Sequence, residues 1–344
     1  MLDYIFLTNI PAFYKIKLYN ELAKKYRIKV VFIAKSSNIR NQDFGKGEME
    51  FQHVFINQGE YETRNKLITL AKFTIELNRH SYKYIVYPGW ESIEIIPLMF
   101  LTFKKKNAII IESSIIETIT EGWKWWLKKL LLKRISLAFP SGVLQKKILE
   151  KANFKSEIRV THGVGIIETK SRFQGLSYKT KTKNLKYLYV GRLSTEKNLE
   201  MLISVFNLIN KQLTLIGSGP EMEYLKSISN NNINYLGYVN NQELLEIYSE
   251  YNVLILPSLS EPWGLVVDEA LCHGLTAIVS DRVGCKDDLI DAYQVGEIFE
   301  ATSKNALVHA VNQMEENYHQ YLLNVGKINW LQRMTIQTKS YNIS

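Results

Sequence analysis

The sequence predicts an α/β protein built from two parallel-sheet domains. Short apolar runs alternate with amphipathic segments along most of the chain, and this alternation is typical of parallel sheets with helices on both faces. The alternation runs through twice, once on each side of a polar stretch at residues 168–184. The length of 344 residues also suits two domains of about 150–180 residues each.

Nine apolar runs are predicted as buried strands and seven amphipathic segments as helices. The strands of the first half are Tyr4–Leu7, Lys29–Ile33, Tyr84–Tyr87 and Ala108–Ile111. Its helices are Tyr14–Tyr26, Leu67–Asn78 and Val143–Lys151. The strands of the second half are Tyr187–Val190, Leu213–Ile216, Ile233–Leu236, Val253–Leu256 and Ala277–Ser280. Its helices are Leu199–Ile209, Glu221–Ile228, Gln242–Ser249 and Leu265–Cys272.

Two segments fall outside this alternation. Residues 168–184 are rich in Lys, Thr and Ser and lack a sustained apolar period, as is typical of an interdomain linker. The segment from Tyr318 onward is predicted to be helical and remains after the second sheet is complete. We therefore expect an N-terminal domain at residues 1–168, a C-terminal domain at 169–320 and a helical segment at 321–344.

The composition is that of a soluble globular protein, with 46% hydrophobic and 22% charged residues. Cys272 and Cys285 lack the spacing of a zinc site or a disulfide framework, so we expect small buried side chains in a reducing compartment. The longest apolar run, residues 93–103, is interrupted by Glu94 and Pro97 and is shorter than the roughly 20 residues of a spanning helix. Asp3 stands where a secretory signal carries basic residues. We expect a cytoplasmic protein.

The positive charge is concentrated in the first half of the chain. Residues 1–168 hold 27 Lys and Arg against 16 Asp and Glu, a balance of +11, while the rest of the chain has a balance of −2. A basic half indicates an anionic partner, either nucleic acid or a membrane surface.

The first strand of the second half ends in Gly191-Arg192-Leu193, and Lys197 follows just before a helix. Ligands of α/β proteins bind at this carboxyl edge of the sheet. Two cations beside a helix N-terminus suit a pyrophosphate, although taken alone they also read as two solvated surface cations.

The next two strands also end in glycine turns. Leu213–Ile216 runs into Gly217-Ser218-Gly219-Pro220, and Ile233–Leu236 runs into Gly237-Tyr238-Val239, a turn that suits a flat base. A single Gly-x-Gly is common in βα turns, so these turns indicate a binding site only in combination with the other motifs of this half.

The most specific segment follows strand Val253–Leu256. It reads Pro257-Ser258-Leu259-Ser260-Glu261-Pro262-Trp263-Gly264-Leu265-Val266-Val267-Asp268-Glu269-Ala270. Glu261 lies before the predicted helix and Glu269 inside it, and Gly264 lets backbone N–H groups approach an anion. Carboxylates accept hydrogen bonds from hydroxyl pairs, so one Glu suits a sugar and the other a ribose.

The stretch from about Tyr187 to Ile290 resembles glycosyltransferase family 4, of the surface-polysaccharide type. The resemblance rests on Gly191-Arg192 with Lys197, the three glycine turns, the Glu261 and Glu269 pair, and Val283-Gly284 after the last strand. It implies the GT-B fold, in which two Rossmann-like domains face each other across a cleft, and retention of anomeric configuration. It also implies that the C-terminal segment crosses back onto the N-terminal domain.

The same resemblance implies the roles of the donor-site residues. Arg192 and Lys197 would hold the donor diphosphate and stabilise the leaving group, with Glu261 on the donor sugar and Glu269 on the ribose. The remaining donor-binding positions would be Gly217, Gly219, Tyr238, Val239, Gly264, Leu265 and Val266. Fixed cations do the work of a metal in this family, so neither a metal nor another cofactor is expected, and the nucleotide-sugar is a substrate.

The first half departs from the family pattern at two places. Relatives have a glycine-rich loop after the first strand, whereas this chain has Thr8–Lys15 without glycine. Relatives also carry a His after a middle strand, whereas Ala108–Ile111 is followed by Glu112. Glu112 is a candidate base for the acceptor hydroxyl, and the alternative is that it only caps the next segment.

A tryptophan- and lysine-rich segment, residues 123–134, predicts a membrane-facing helix. Trp123, Trp126, Leu127, Leu130 and Leu131 would share one face, with lysines, among them Lys128 and Lys129, on the remainder. This composition is typical of a helix in a membrane interface, and a core helix with a solvated lysine face is the alternative. An anionic inner leaflet would then be a partner, and the protein would be peripheral on the inner face of the cell membrane.

The sequence thus predicts a retaining glycosyltransferase that moves a sugar, preferably from a UDP-sugar, to a lipid-linked oligosaccharide of a surface polysaccharide. Two alternatives remain: a non-catalytic sugar-nucleotide-binding subunit and a GT-B-fold nucleotide-sugar epimerase. Nucleic-acid binding is disfavoured because no aromatic stacking platform is evident on the strands. A dinucleotide-dependent oxidoreductase is disfavoured because no Gly-x-Gly-x-x-Gly opens either domain.

Overall fold

A computed structural model describes residues 1–40, 44–167 and 184–343. The chain forms two compact units: unit 1 comprises Met1–Ile167 and Leu331–Ser344, and unit 2 comprises Glu168–Trp330. All but the last residue of the predicted linker, residues 168–184, lies outside the described residues.

Unit 1 is built on a seven-stranded parallel sheet with the strand order β3-β2-β1-β4-β5-β6-β7. Its strands are β1 (Leu2–Thr8), β2 (Ile28–Ser36), β3 (Gln52–Glu60), β4 (Tyr82–Tyr87), β5 (Asn107–Ile111), β6 (Leu137–Pro140) and β7 (Glu157–Ile158). Its helices before the unit boundary are α1 (Phe13–Ala23), α2 (Lys66–Asn78), α3 (Leu98–Leu101), α4 (Gly122–Leu132) and α5 (Val143–Lys151). Short 3₁₀ turns lie at Ile93–Ile95 and Lys104–Lys106.

Both faces of this sheet are buried, which explains why its central strands read as continuous apolar runs. Side chains alternate along β1, so that Tyr4 and Phe6 join one hydrophobic cluster while Ile5 and Leu7 join the other. Helix α2 begins where the Asn65 side chain accepts hydrogen bonds from the backbone N–H groups of the first turn.

Unit 2 is built on a six-stranded parallel sheet with the strand order β10-β9-β8-β11-β12-β13. Its strands are β8 (Tyr187–Val190), β9 (Leu213–Ile216), β10 (Ile233–Gly237), β11 (Val253–Leu256), β12 (Thr276–Ser280) and β13 (Gly296–Phe299). Its helices are α6 (Leu199–Ile209), α7 (Met222–Ser227), α8 (Asn241–Ile247), α9 (Leu265–Cys272) and α10 (Lys304–Lys327). The 3₁₀ turns Thr195–Lys197 and Tyr248–Glu250 and the π-helix Lys286–Asp291 complete the unit.

The C-terminal helix is α11 (Trp330–Lys339), and from Leu331 onward the chain belongs to unit 1. The Tyr341 ring is buried and stacks on Phe139 with 4.5 Å between the ring centroids. The backbone carbonyl of Tyr341 accepts a 2.7 Å hydrogen bond from the Tyr4 hydroxyl. The sequence analysis placed a boundary at residues 320 and 321, but α10 runs through that position and stays in unit 2.

Four strands escaped the sequence analysis, and all are short or polar. Three of them, β3, β7 and β13, are the edge strands of their sheets. Strand β3 is largely exposed and β7 has only two residues, so neither carries a buried apolar run. Strand β6 is central but short and ends in Pro140.

The apolar run at residues 93–103 forms the first 3₁₀ turn and the short helix α3. Among the described residues, no helix combines the length and the apolarity that crossing a membrane requires.

Candidate functional site

The candidate site of unit 2 is formed by the loops that follow its parallel strands. Because the strands are parallel, the loops after β8, β9 and β10 meet at one edge of the sheet. The Gly191 N–H donates to the Ile216 carbonyl at 3.0 Å, and the Gly217 N–H donates to the Gly237 carbonyl at 2.7 Å. The three glycine turns that the sequence singled out are therefore neighbours.

Two of these glycines allow close backbone packing between the loops. A Cβ on Gly217 would lie 1.8 Å from the Gly191 carbonyl oxygen, and one on Gly219 would lie 2.2 Å from the Leu193 carbonyl oxygen. Any side chain at either position would collide with backbone. The structure thus gives both residues a packing role, and their contact with a donor stays a prediction.

Lys197 and Glu261, which the sequence analysis assigned to different parts of the donor, lie together. The Lys197 Nζ is 2.5 Å from the Glu261 Oε2, and each side chain is only 17% exposed. The Ser258 hydroxyl lies 3.5 Å from the same carboxylate oxygen. Lys197 ends the turn after β8 and Glu261 follows β11, which are adjacent strands, so the sheet topology brings the pair together.

Arg192 projects further into solvent than Lys197. Its side chain is 52% exposed, and its nearest carboxylate partner is Glu196 at 3.8 Å. Glu196 also accepts a 2.7 Å hydrogen bond from Ser194. Burial alone raises the pKa of Glu196. The hydrogen bond from Ser194, a backbone hydrogen bond and the nearby cations Arg192 and Lys197 outweigh burial and lower this pKa below its ordinary value. The sequence analysis did not single out Glu196.

The loop that carries Glu261 is held by backbone hydrogen bonds to the loop after β12. Glu261 forms an isolated parallel bridge with Val283, and its carbonyl accepts a 2.9 Å hydrogen bond from the Gly284 N–H. Gly264, at the start of α9, has a φ of 96°, a left-handed conformation that favours glycine. A Cβ there would also lie 3.0 Å from Val283. These contacts fix the position from which the Glu261 side chain extends.

Glu269 lies in α9 and is oriented by a tyrosine that the sequence analysis missed. The Tyr248 hydroxyl donates a 3.2 Å hydrogen bond to the Glu269 Oε2. The ring of Tyr248 is fully buried and stacks on His273 at 5.3 Å. Burial and the adjacent carboxylate raise the pKa of Tyr248 well above its ordinary value, so it remains a donor. Tyr248 lies at the end of a polar helical stretch, where nothing in the sequence distinguishes it from a core aromatic.

The remaining predicted donor residues lie on the same loops. Leu265 and Val266 occupy the first turn of α9 and are half-buried. Tyr238 and Val239 follow β10, with Tyr238 exposed and Val239 half-buried. Each side chain is thus at least partly accessible to a ligand.

Glu112 of unit 1 lines a cavity of about 300 Å³ at the carboxyl edge of the other sheet. Its Oε1 lies 2.6 Å from the Nζ of Lys15, whose side chain is 11% exposed. Burial alone lowers the pKa of Lys15, but the Glu112 carboxylate raises it above its ordinary value. Tyr14, Trp90 and Arg40 also line this cavity. The carboxylate therefore pairs with a buried cation, and the Thr8–Lys15 segment contributes side chains to the lining of this cavity.

The face that the sequence analysis assigned to α4 is partly wrong. Trp123 and Trp126 are 71% and 62% exposed, as expected of an outward face, but Leu131 is buried and Trp125 is the aromatic that enters the core. Lys128 lies over the Trp90 ring at 4.6 Å, and burial lowers its pKa. Lys129 is exposed. The inward face follows Trp125, Leu131 and Leu132 because these residues pack on the sheet.

No group of three or more His, Cys, Asp or Glu suited to a metal ion occurs within the described ranges.

Comparisons with known proteins bear on unit 2 and on the fold. Residues 172–327 match the family model of the group 1 glycosyl transferases, a span of less than half of the chain. An uncharacterized glycosyltransferase of Methanocaldococcus jannaschii is 34% identical over 106 residues, covering 28% of this chain and 27% of that protein. An uncharacterized 41.2 kDa protein in the cps region of Klebsiella pneumoniae is 23% identical over 245 residues, covering 64% and 67%. The matches thus span about a quarter to two thirds of these relatives.

Solved structures resemble the chain over nearly its whole length. The sucrose-phosphate synthase of Thermosynechococcus elongatus has a TM-score of 0.71 at 16% identity, covering 97% of this chain and 94% of that one. Anabaena HepE in complex with UDP has a TM-score of 0.68 at 14% identity, covering 98% of each chain. At such identities the likeness shows the fold alone, and the predicted GT-B fold class is confirmed.

Proposed function

We propose that this chain, a GT-B glycosyltransferase of group 1 by its fold and its C-terminal unit, transfers a sugar from a nucleotide-sugar to a saccharide acceptor. The proposed reaction retains anomeric configuration. The proposed donor is a UDP-sugar, and the proposed acceptor is a lipid-linked oligosaccharide of a surface polysaccharide, on the inner face of the cell membrane.

The observation that carries this proposal is the Lys197–Glu261 pair, with Arg192 on the turn that leads to Lys197. Cleaving a glycosyl phosphate bond places negative charge on the departing diphosphate. Cations already fixed at that position stabilise the charge as it develops, without reorganising solvent. Lys197 is held by Glu261, whereas Arg192 is half exposed and has room to close on a phosphate.

Two carboxylates would position the sugar and the ribose. Glu261 can accept hydrogen bonds from sugar hydroxyls while Lys197 balances its charge. Glu269, held in orientation by Tyr248, can accept hydrogen bonds from the ribose hydroxyl pair. Because no separate nucleophile is assigned, the acceptor hydroxyl would attack the sugar on the same face that the diphosphate leaves. This attack would retain the anomeric configuration.

The choice of UDP is supported by one structural neighbour. HepE was crystallised with UDP, although it is only 14% identical to this chain. Surface polysaccharide is supported by the relative in the cps region of Klebsiella pneumoniae. On the acceptor side, the cavity of unit 1 offers the aromatic and polar side chains that saccharides need, with Glu112 as the candidate base.

The test is calorimetric titration of the purified protein with UDP, GDP, NAD and a small panel of UDP-sugars. Glu269→Ala should weaken uridine nucleotide binding about tenfold, because one charge-assisted hydrogen bond to the ribose is lost. Glu223→Ala is the matched control, because that carboxylate is 88% exposed on α7 in the same unit.

Selective binding of uridine nucleotides, weakened only in Glu269→Ala, would support the donor assignment. Selective binding of GDP would leave the proposed transferase activity in place and change the proposed donor to a GDP-sugar. A folded protein that binds no nucleotide would overturn the proposal. Nucleotide binding without transfer or donor hydrolysis would favour the non-catalytic subunit, and interconversion of UDP-sugars without an acceptor would favour the epimerase.

A further inference from the structure

A second cavity in unit 1, of about 520 Å³, is lined by four lysines. They are Lys104, Lys129, Lys133 and Lys155. Trp126, Leu130 and Phe154 contribute the apolar part of the wall. None of these residues belongs to the donor site or to the cavity around Glu112.

Three separate chain segments bring the lysines together. Lys104 precedes β5, Lys129 and Lys133 lie at the end of α4, and Lys155 precedes β7. The segments are hydrogen-bonded to one another: the Ser136 hydroxyl donates to the Lys105 carbonyl at 3.1 Å, and the Ser156 hydroxyl donates to the Ile135 carbonyl at 3.0 Å. The cavity is therefore built by the fold and not by one flexible loop.

The charge of this cavity is not balanced by the protein. Within residues 1–40, 44–167 and 184–343, none of the four lysines forms an ion pair with a carboxylate. Like charges around one cavity repel each other, and a multivalent anion would relieve that repulsion. Phosphate is an anion that lysine binds well as a point charge.

Exposed apolar side chains lie close in the chain to one lysine of the cavity. Phe103, which is 78% exposed, directly precedes Lys104, and Leu101, which is 70% exposed, lies two residues before Phe103. Trp126, in the cavity wall, is 62% exposed. Single exposed apolar residues are common, but large apolar and aromatic side chains grouped beside lysines suit the boundary between lipid headgroups and acyl chains.

The cavity lies at the opposite edge of the sheet from Glu112. Lys104, Lys133 and Lys155 precede the amino ends of β5, β6 and β7, whereas Glu112 follows the carboxyl end of β5. Occupation of the basic cavity would therefore leave the other edge of the sheet accessible.

We propose that the basic cavity of unit 1 binds the phosphate headgroup of an anionic phospholipid, with Trp126, Leu101 and Phe103 entering the bilayer surface. This inference rests on the membrane-surface part of the proposed function and gives it a defined binding site. It requires nothing of the donor chemistry in unit 2.

The test is co-sedimentation with vesicles of phosphatidylcholine alone or with about one third phosphatidylglycerol, in about 0.1 M salt. The wild type should bind the anionic vesicles preferentially. The triple variant Lys104→Gln, Lys129→Gln, Lys133→Gln should bind them at least tenfold more weakly, since each lysine near an anionic surface contributes substantially to binding. Trp126→Ala should weaken binding several-fold.

Two controls separate a built site from general charge. The variant Lys35→Gln, Lys46→Gln, Lys66→Gln removes the same charge from exposed lysines elsewhere on unit 1 and should bind nearly as the wild type does. Leu208→Ala removes a 78% exposed apolar side chain of unit 2 and should have no effect.

Equal losses in the two triple variants would overturn the proposal in favour of diffuse attraction. Equal binding to both vesicle types would also overturn it. If the cavity variant loses calorimetric binding of inorganic phosphate while vesicle binding is unchanged, the ligand is a soluble phosphate and not a lipid. Nucleotide titration of the same variants separates this test from the donor-site test, because donor binding should survive when vesicle binding is lost.

Discussion

At the scale of single residues, the most consequential contact is the one between Lys197 and Glu261. The two are 64 positions apart in the sequence and 2.5 Å apart in the structure. Removing one partner of a mostly buried pair leaves the other charge uncompensated, which costs more than an exposed pair would. A substitution at either residue is therefore expected to affect both the stability of unit 2 and the proposed reaction.

Under the proposed function, Lys197→Ala should lower donor turnover about 100-fold to 1,000-fold, because the fixed cation proposed to lie at the leaving diphosphate is lost. The measurement is UDP release from the preferred UDP-sugar under saturating donor. Lys211→Ala is the matched control, since that lysine forms a 2.7 Å pair with Glu315 in the same unit, away from the donor loops. A loss below threefold, or equal losses in both variants, would contradict the assigned role.

Both cysteines should be chemically silent in the folded protein. Burial raises the pKa of Cys272 to about 12, and that of Cys285 well above its ordinary value, so the thiolate is scarce at neutral pH. Ellman's reagent at pH 8 should find no rapidly reacting thiol in the native protein and two after unfolding in guanidinium. A fast-reacting native thiol would show that one of these sites opens to solvent.

At the scale of secondary-structure elements, burial on both faces decides what the sequence could predict. The nine predicted strands lie within β1, β2, β4, β5 and β8 to β12, and β10 is among them although it is an edge strand. The other three edge strands, β3, β7 and β13, escaped because none of them carries a buried apolar run. Glycines and charges mark the loops predicted to bind the donor, whereas Tyr248 and the Lys15–Glu112 pair depend on distant contacts that no local pattern records.

Helix α2 is attached to β2 by an ion pair that should depend on pH. Lys29 Nζ lies 2.5 Å from the Glu76 Oε1, and both side chains are mostly buried. Burial alone raises the pKa of Glu76, but Lys29 and His80 outweigh it and lower the pKa below 4.5. The carboxylate therefore stabilises the fold above about pH 4.5, and its contribution is lost as the pH falls through the folded-state pKa.

Glu76→Gln should reduce the free energy of unfolding of unit 1 by about 1–3 kcal/mol at pH 7. The deficit relative to the wild type should shrink as the pH falls from about 4.5 through the lower folded-state pKa, because the carboxylate is protonated in the unfolded chain first and in the folded protein last. Urea unfolding between pH 3 and pH 7 measures both effects. Glu150→Gln, whose carboxylate is 55% exposed on α5, should change stability little at any pH. A deficit that does not vary with pH would rule out the ion pair as its source.

At the scale of the whole molecule, unit 1 is assembled from two distant parts of the chain. The segment after Trp330 returns to it, and Tyr341 packs against Phe6 and Phe139 in its core. The Ser340 hydroxyl also donates to the Val160 carbonyl at 2.9 Å. Only the family resemblance predicts that the C-terminal segment packs on the N-terminal domain. Nothing in the composition of residues 331–344 specifies where they dock.

Tyr341→Ala should lower the free energy of unfolding of unit 1 by about 3–5 kcal/mol, the usual cost of an aromatic cavity. Deleting residues 331–344 should cost more and reduce donor turnover in parallel. Thermal unfolding and UDP release are the two measurements. Leu331→Ala, at a 65% exposed position of helix α11, should change stability by less than about 0.5 kcal/mol. Full stability and activity after the deletion would show that the segment is dispensable.

The hydrogen bond between Tyr4 and Tyr341 spans 337 positions, and this separation sets an order of events during synthesis. Unit 2 ends at Trp330, whereas unit 1, whose strands are made first, lacks its closing segment until the residues after Trp330 have been made. Until then Phe6 and Phe139 lack the Tyr341 ring that packs against them in the complete unit. The strands that are translated first thus belong to the unit that is completed last.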